Sequence, residues 1–324
     1  MKDLAEKIIQ QDRRALSRAI TLVESSRKDH RAQALELSGY LRKTGRQALR
    51  IGLSGTPGVG KSTFIESFGI LLTSQNLRVA VLAVDPSSVR SGGSILGDKT
   101  RMDRLSREPL AFIRPSPSRS HLGGVARRTR EAVAVCEAAG FDVVLIETVG
   151  VGQSETIVSE ISDVFALLLA PAGGDELQGV KRGIMEMADL VLVNKADGDL
   201  KPAAMRTCAD FSGALRLLRK RPQDPEDYPK VLTVSAITEM GLEVAWEAMQ
   251  ALSEWRRSKG HFDRQRALQA RFWFDEDVKQ SVLASLMRAD VVALMQRIGQ
   301  EVENGDILPE VAAAKVLGKL KLLG

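Results

Sequence analysis

One short stretch combines the residue types and the spacing of a phosphate-binding loop. Residues 55–62 read GTPGVGKS, which matches the pattern G-x-x-x-x-G-K-[ST]. Glycines let backbone N–H groups turn toward phosphate oxygens, and the N-terminus of a following helix adds a favourable partial charge. In such a loop Lys61 bridges the β- and γ-phosphates of a nucleotide, and the Ser62 hydroxyl binds Mg²⁺.

The sequence around this loop supplies the context that the chemistry needs. The apolar run ALRIGLS precedes it, and the helical pattern STFIESFGILLTSQ follows. The alternative interpretation is a Gly-rich turn with an incidental Lys-Ser pair, and the flanking strand and helix argue against it. We therefore expect the phosphates to be bound by Gly55, Thr56, Pro57, Gly58, Val59, Gly60, Lys61, Ser62 and Thr63.

A second motif predicts which base the nucleotide carries. Residues 194–197 read NKAD and close the apolar run LVLV. Asp197 at such a position accepts hydrogen bonds from N1–H and the exocyclic N2–H₂ of guanine, and adenine lacks that pair of donors. Asn194 can brace the loop, and the stem of Lys195 can cover the base. The SAI segment after KVLTV is placed to touch guanine as well, so we add Ser235, Ala236 and Ile237.

Carboxylates near the phosphates are expected to complete a magnesium site with Ser62, because Mg²⁺ prefers oxygen ligands. Asp85 follows VAVLAV, Asp98 lies in GGSILGDKT, and Glu147 follows VVLI. For each acid the alternative is a solvated loop carboxylate. Glu147 also begins an E-x-x-G pattern, in which the N–H of Gly150 can contact the γ-phosphate and sense its presence.

The residues for hydrolysis are less completely specified by the sequence. Lys61 and Mg²⁺ neutralise developing charge, and a further group must orient water. Gln153 is a candidate, with a loop glutamine outside the reaction as the alternative. We expect slow intrinsic hydrolysis that a partner stimulates, with Lys181 and Arg182 as candidates for added positive charge; the alternative is that both are solvated bases at a helix start.

The composition of the chain argues against several classes of protein. The chain has 324 residues, a net charge of +5 from 46 basic and 41 acidic residues, and 4% aromatic residues. Interspersed charges and few aromatics argue against a nucleic-acid platform. The two cysteines form no CxxC motif, the N-terminus lacks an apolar leader pattern, and no apolar run is long enough to span a membrane. We expect a cytoplasmic protein.

The elements that must position these motifs divide the chain into three predicted parts. Residues 1–46 form a helical extension in which residues 3–45 have an amphipathic helical period. Residues 47–256 alternate apolar β-branched runs with helical segments, which predicts an α/β domain with a mainly parallel sheet flanked by helices; AFIRPSP can add one more strand. Residues 257–324 are predicted to be helical. Arg127 and Arg128 are interpreted as part of a solvated helix face.

Several longer motifs together resemble the MeaB-type GTPases: GTPGVGKSTF, AVDPSS, GGSILGDKTRM, CEAAGFDVVLIETVGVGQSE, GGDELQGVKRG and VNKAD. The resemblance is dense over residues 51–197 and weak after residue 256. It implies a P-loop NTPase fold of the SIMIBI type with a C-terminal dimerisation arm, hence a homodimer. It also implies a GTP-dependent chaperone that gates adenosylcobalamin loading and protects or reactivates methylmalonyl-CoA mutase or a related acyl-CoA mutase.

The same resemblance assigns roles to particular segments. It places the magnesium-associated acids at Asp85, Asp98 and Glu147, switch I near GGSILGDK and switch II at ETVGVGQSE. A third switch that faces the mutase falls on GGDELQGVKRG, and its expected polar contacts are Asp175, Glu176, Gln178 and Lys181.

Three other classes of protein are alternatives. A nickel-insertion GTPase of this fold usually carries a His-rich tract or Cys/His pairs, whereas His30, His121 and His261 lie far apart in the sequence. A nucleotide-dependent kinase needs an acceptor pocket, which no motif specifies. A signal-recognition-type GTPase needs a methionine-rich domain, and the C-terminal segment has few of the nine methionines.

Overall fold

The computed structural model describes residues 1–85, 102–117, 122–148, 154–171, 182–217 and 221–319. By contacts, the chain separates into two compact units, Met1–Gln269 and Ala270–Gly324. The predicted division at residues 46 and 256 stays a prediction. None of the described helices is both long and apolar enough to span a membrane.

The N-terminal extension consists of three helices rather than one long one: α1 (Lys2–Ile9), α2 (Arg13–Glu24) and α3 (Lys28–Leu41). The break before α2 has a local cause, because the Asp12 side chain caps that helix by accepting a hydrogen bond from the Ala15 N–H at 2.7 Å. Each helix buries one apolar face, as its amphipathic period predicts.

The centre of the first unit is a seven-stranded sheet in which every described pairing is parallel. Its strand order is β3-β2-β4-β1-β5-β6-β7. Strands β4, β5 and β6 are buried at every residue, which explains why their sequences are apolar on both faces. The strands are β1 (Leu49–Gly55), β2 (Val79–Asp85), β3 (Ala111–Pro117), β4 (Val143–Thr148), β5 (Val164–Leu169), β6 (Leu190–Val193) and β7 (Lys230–Thr233). The predicted α/β class is confirmed, including the strand AFIRPSP.

Helices flank this sheet and bury its core. The Phe64 and Phe68 rings stack with centroids 5.3 Å apart, and Trp246 packs edge-on against Phe68 at 6.1 Å. The helices are α4 (Lys61–Ser74), α5 (Asp103–Arg107), α6 (Leu122–Ala138), α7 (Ser154–Ser159), α8 (Arg182–Met187), α9 (Lys201–Arg216) and α10 (Leu242–Ser258).

One expectation about a helix surface is wrong. Arg128 on α6 is buried with 9% of its surface exposed, and Arg127 is half-buried, so the pair is not a solvated face. The reason is tertiary, because α2 and α3 of the N-terminal extension pack against α6 and cover a side that the sequence of α6 alone would leave in water.

The C-terminal segment is helical, as predicted. It comprises α11 (His261–Leu286), α12 (Ala289–Glu303) and α13 (Pro309–Lys319). The second unit has a small core of its own, formed by Val291, Ile298, Ala312 and Val316.

Candidate guanine-nucleotide site

The strand order brings the predicted motifs to one edge of the sheet. Strand β1 lies between β4 and β5, and β6 and β7 follow β5. Because all pairings are parallel, the segments that follow β1, β4, β6 and β7 leave the sheet at its carboxyl edge, where ligands bind in open α/β sheets. The phosphate loop, NKAD and SAI follow β1, β6 and β7, and Glu147 lies near the carboxyl end of β4.

Two glycines of the phosphate loop cannot be replaced by residues with a side chain. Gly55 has a φ of 155°, and a Cβ there would lie 2.4 Å from the Leu168 carbonyl oxygen. Gly60 has a φ of 90°, and its Cβ would lie 2.8 Å from the Asn194 amide nitrogen. The phosphate loop therefore requires glycine at both of these positions, and it leads directly into α4 at Lys61 as a cradle for phosphate.

The Lys61 amine lies inside the curve of this loop. It donates hydrogen bonds to the carbonyl oxygens of Gly55 at 2.6 Å and Thr56 at 3.2 Å. Burial lowers the pKa of Lys61, and the nearby carboxylates of Glu147 and Glu155 partly oppose that shift. The positive charge is thus held at the place where a phosphate-binding loop needs it.

The other residues of the phosphate loop and of the first turn of α4 differ in their exposure to solvent. Val59 is buried at 2% exposure and anchors the loop. Thr56 and Ser62 are half-buried, whereas Pro57, Gly58 and Thr63 are exposed. Ser62 lies in the first turn of α4, next to Lys61.

The buried side chain of Asn194 joins the phosphate loop to the predicted base-binding loop. Its amide nitrogen donates to the Val59 carbonyl oxygen at 2.9 Å, and its side-chain oxygen accepts from the Ala236 N–H at 3.1 Å. Only 1% of Asn194 is exposed. One amide group therefore fixes the relative positions of two loops that follow β1 and β7.

Asp197 and Lys195 of the same NKAD loop also have defined partners. The Ser235 hydroxyl donates to Asp197 Oδ1 at 2.6 Å and accepts from the Thr238 N–H at 3.1 Å, so the carboxylate is oriented by a fully buried serine. The Lys195 amine donates to the Gly58 carbonyl oxygen at 2.7 Å, which lays its stem between the two loops. Ile237 is 77% exposed beside them.

The described part of the predicted magnesium site has the right donor chemistry. Glu147 is 5% exposed at the carboxyl end of β4, where it pairs in register with Leu53 of β1. With the Ser62 hydroxyl it offers the oxygen donors that Mg²⁺ prefers. Asp85 is the last residue of β2, and its side chain lies outside the described residues. Also outside them lie Asp98, Gly150, Gln153, Asp175, Glu176, Gln178 and Lys181.

The structure adds two residues that the sequence did not point out. Glu155, in the first turn of α7, is 2% exposed, and its charge acts on Lys61. The Ser67 hydroxyl in α4 donates to the Ala236 carbonyl oxygen at 2.7 Å, which is a second tie between the phosphate helix and the base loop. Ser67 is a polar residue in an apolar helix, a signal that it needs a buried partner; Glu155 gave no signal beyond its place in the ETVGVGQSE motif.

The parallel sheet and the glycine-containing loop before α4 define this protein as a P-loop NTPase, and the NKAD and SAI loops are joined to that loop by Asn194. The chain belongs to the methylmalonyl-CoA mutase-associated GTPase family MeaB, whose family model matches residues 16–291. It is accordingly a GTPase, and the predicted family and enzyme class are confirmed.

Comparison with individual proteins supports this family membership. The chain is 46% identical over 328 residues to the Mus musculus protein named methylmalonic aciduria type A homolog, mitochondrial, covering 97% of this chain and 78% of that protein. It is 46% identical over 277 residues to the GTPase ArgK of Escherichia coli, covering 86% and 83% of the two chains. The crystal structure of a protein named LAO/AO transport system kinase superposes with a TM-score of 0.76 at 34% identity, covering 98% of this chain and 97% of that one.

Proposed function

We propose that this protein is a GTP-dependent chaperone of an adenosylcobalamin-dependent acyl-CoA mutase, either methylmalonyl-CoA mutase or a relative. GTP binding and hydrolysis would gate adenosylcobalamin loading and support protection or reactivation of the mutase. The observation that carries the GTP-binding part of the proposal is the pair of loops joined at Asn194, because it couples the phosphate loop to a carboxylate placed for guanine. The family description, which names methylmalonyl-CoA mutase, supports the choice of partner.

For the chemical step, the chain's own residues bind and orient the triphosphate. The cradle from Gly55 to Gly60 would receive phosphate oxygens, and the Lys61 amine would stabilise negative charge that develops on them. Ser62, Asp85, Asp98 and Glu147 would hold Mg²⁺, which when bound adds positive charge to the phosphates. We propose that Gly150 senses the γ-phosphate, that Gln153 orients water, and that Lys181 contributes charge in the complex.

Guanine recognition is proposed for the loops after β6 and β7. Asp197, fixed by Ser235, would accept the two N–H groups of guanine, while the Lys195 stem and the Ala236–Ile237 segment would border the base. An acceptor that is already oriented loses less freedom on binding, so the Ser235 hydrogen bond should favour affinity for GTP and GDP alike.

The first test is partner stimulation. We expect intrinsic GTP hydrolysis to be slow and to rise about tenfold or more when saturating mutase is added, since a partner can supply missing catalytic charge. Lys181→Ala should reduce the stimulated rate more than the basal rate. Phosphate release at single-turnover conditions measures both rates, and an unchanged rate with saturating mutase would contradict the chaperone proposal.

The same assay separates the alternatives. A kinase, the activity in the name of the similar protein of known structure, would leave a phosphorylated product, whereas a GTPase releases inorganic phosphate in proportion to GDP. A nickel-insertion GTPase would bind nickel in a titration of the protein with the metal alone. Either result would overturn the mutase proposal.

We further propose a cytoplasmic homodimer that uses residues 257–324 as its dimerisation arm. In support, the described C-terminal helices leave large apolar side chains in water: Phe274, Val278 and Val282 follow one another at helical spacing on α11 and are 59%, 49% and 38% exposed. Both cysteines, Cys136 and Cys208, are free thiols, which suits a reducing compartment.

A further inference from the structure

Helix α7 links the nucleotide site to the beginning of the C-terminal helix α11. Its first turn carries buried Glu155, whose charge reaches Lys61. The chain leaves the other end of α7 through Ser162 and Asp163, which are 1% and 4% exposed, and then enters β5. Helix α7 has only six residues, and close-packed interiors transmit strain, so we expect a displacement of Ser162 and Asp163 to reach Glu155.

Two residues of α11 form hydrogen bonds with Ser162 and Asp163, the segment between α7 and β5 that we call the α7 exit. The Gln269 amide donates to the Ser162 carbonyl oxygen at 2.8 Å, and that amide is buried. The Arg266 guanidinium forms two bonds with the Asp163 carboxylate, Nε to Oδ1 at 2.8 Å and Nη2 to Oδ2 at 2.6 Å. A bidentate pair of this kind, with a buried carboxylate and a half-buried guanidinium, fixes orientation as well as distance.

The same exit is packed against the strand that carries the phosphate loop. A Cβ on Gly52 of β1 would lie 2.4 Å from Ser162 Oγ and 2.8 Å from Val158 Cγ1 of α7. Asp163 Oδ2 also accepts a hydrogen bond from the Arg50 N–H of β1 at 2.8 Å. The end of α7 therefore cannot shift without a change in its contacts with α11 or β1.

We infer that Gln269 and Arg266 are positioning residues for GTP hydrolysis. From the first turns of α11 they fix the segment between α7 and β5, and through it they set the positions of Glu155 on α7 and of β1, the strand that leads into the phosphate loop. This role rests on the GTPase activity but not on the identity of the partner. With this role, the first turns of α11 would affect the rate of GTP hydrolysis although they are not part of the proposed nucleotide site.

The test uses the full-length protein with two variants. Gln269→Met removes the amide contact at nearly the same side-chain length, and Arg266→Met removes the guanidinium and with it the bonds to Asp163, Glu137 and the Ala48 carbonyl oxygen. We expect the single-turnover rate of GTP hydrolysis to fall about fivefold or more in each, because small misplacements of catalytic groups lower rates steeply. GDP affinity should change less than about twofold, since no residue of the phosphate loop is replaced. Arg31→Met is the matched control: it breaks a 2.6 Å ion pair with Glu131 between α3 and α6, and its rate should match the wild type.

Four outcomes would decide against the role or its basis. Folded variants with unchanged hydrolysis would overturn the positioning role, and so would equal losses of rate in the Arg31→Met control. A wild-type protein that hydrolyses no GTP would instead overturn the enzyme assignment. Should the variants fail to fold, hydrogen exchange on the wild type decides: amides of residues 262–269 should exchange at different rates with GDP and with a non-hydrolysable GTP analogue, and identical rates would overturn the proposal.

Discussion

At the scale of single residues, the site depends on buried polar groups that each have a defined partner. Asn194 spans the phosphate loop and the base loop, and Ser67 adds a second bond to the same base loop. Ser235 orients the Asp197 carboxylate. Such groups are costly to leave unpaired, so the loops are held in one arrangement before a nucleotide arrives.

The prediction at this scale concerns base choice. Asp197→Asn should weaken GTP binding about 10- to 100-fold, because an amide presents a donor where guanine also presents donors. The same variant should gain affinity for xanthosine triphosphate, whose base offers an acceptor there. Fluorescence titration with both nucleotides measures the exchange. Asp199→Asn, an exposed residue on the same loop, is the control and should leave both affinities unchanged. Equal competition of ATP with GTP in the wild type would contradict the guanine assignment.

At the scale of elements, the edge of the sheet opposite the nucleotide site is fastened by buried ion pairs. Arg256 on α10 is 3% exposed and bonds Asp224 and Asp189, at 2.7 Å in each case. Although burial lowers the pKa of the Arg256 guanidinium, the charges and hydrogen bonds of Asp189 and Asp224 raise it by more. The segments before β6 and β7 are thereby tied to one helix, which steadies the strands that carry the guanine loops.

Removal of this arginine should destabilise the protein strongly. Arg256→Met removes the buried partner of Asp189 and Asp224 and leaves Arg221, at 2.6 Å from Asp189 and 3.6 Å from Asp224, to pair with them. We therefore expect the free energy of unfolding to fall by about 3 kcal/mol, the lower end of the range for a broken buried pair. Arg107→Met breaks an exposed pair with Asp103 and should cost about 0–1 kcal/mol. Urea unfolding followed by circular dichroism compares the two. Similar decreases in the free energy of unfolding for both variants would contradict a special stabilising role of the buried ion pairs.

At the scale of the whole molecule, the proposed assembly depends on the C-terminal helices. The apolar stripe of Phe274, Val278 and Val282 is a large surface to leave in water, which a second copy of the chain would cover. Helices α12 and α13 have a core of their own at Val291 and Val316. A substitution on the stripe is therefore expected to change assembly rather than folding.

Val282→Asp should shift the protein from dimer to monomer, because a charge buried in an interface is costly without a partner. Gln280→Asp adds the same charge two residues earlier, about 200° around the helix, and should leave the dimer intact. Sedimentation velocity over a range of concentrations reports the oligomeric state. A wild type that sediments as a monomer throughout that range would contradict the dimer proposal.

The amino-acid sequence by itself determined the class of fold, the phosphate loop, the guanine motif and the family. Each of these can be identified from contiguous residues, such as 55–62 and 194–197, or from apolar runs that predict buried parallel strands. Local backbone chemistry fixes such features, so neighbouring residues are enough to identify them. The three separate N-terminal helices were harder to predict, because an amphipathic period continues through short breaks.

Only the tertiary structure decided which distant residues meet. Asn194 contacts Val59 across 135 residues, Ser67 contacts Ala236 across 169, and Arg266 contacts Asp163 across 103. The burial of Arg128 likewise follows from helices that belong to another part of the chain. Strand order and helix packing set these contacts, and both depend on how the chain crosses over between strands. No local sequence pattern specifies these crossovers, so the long-range hydrogen bonds of the site could be identified only in the folded molecule.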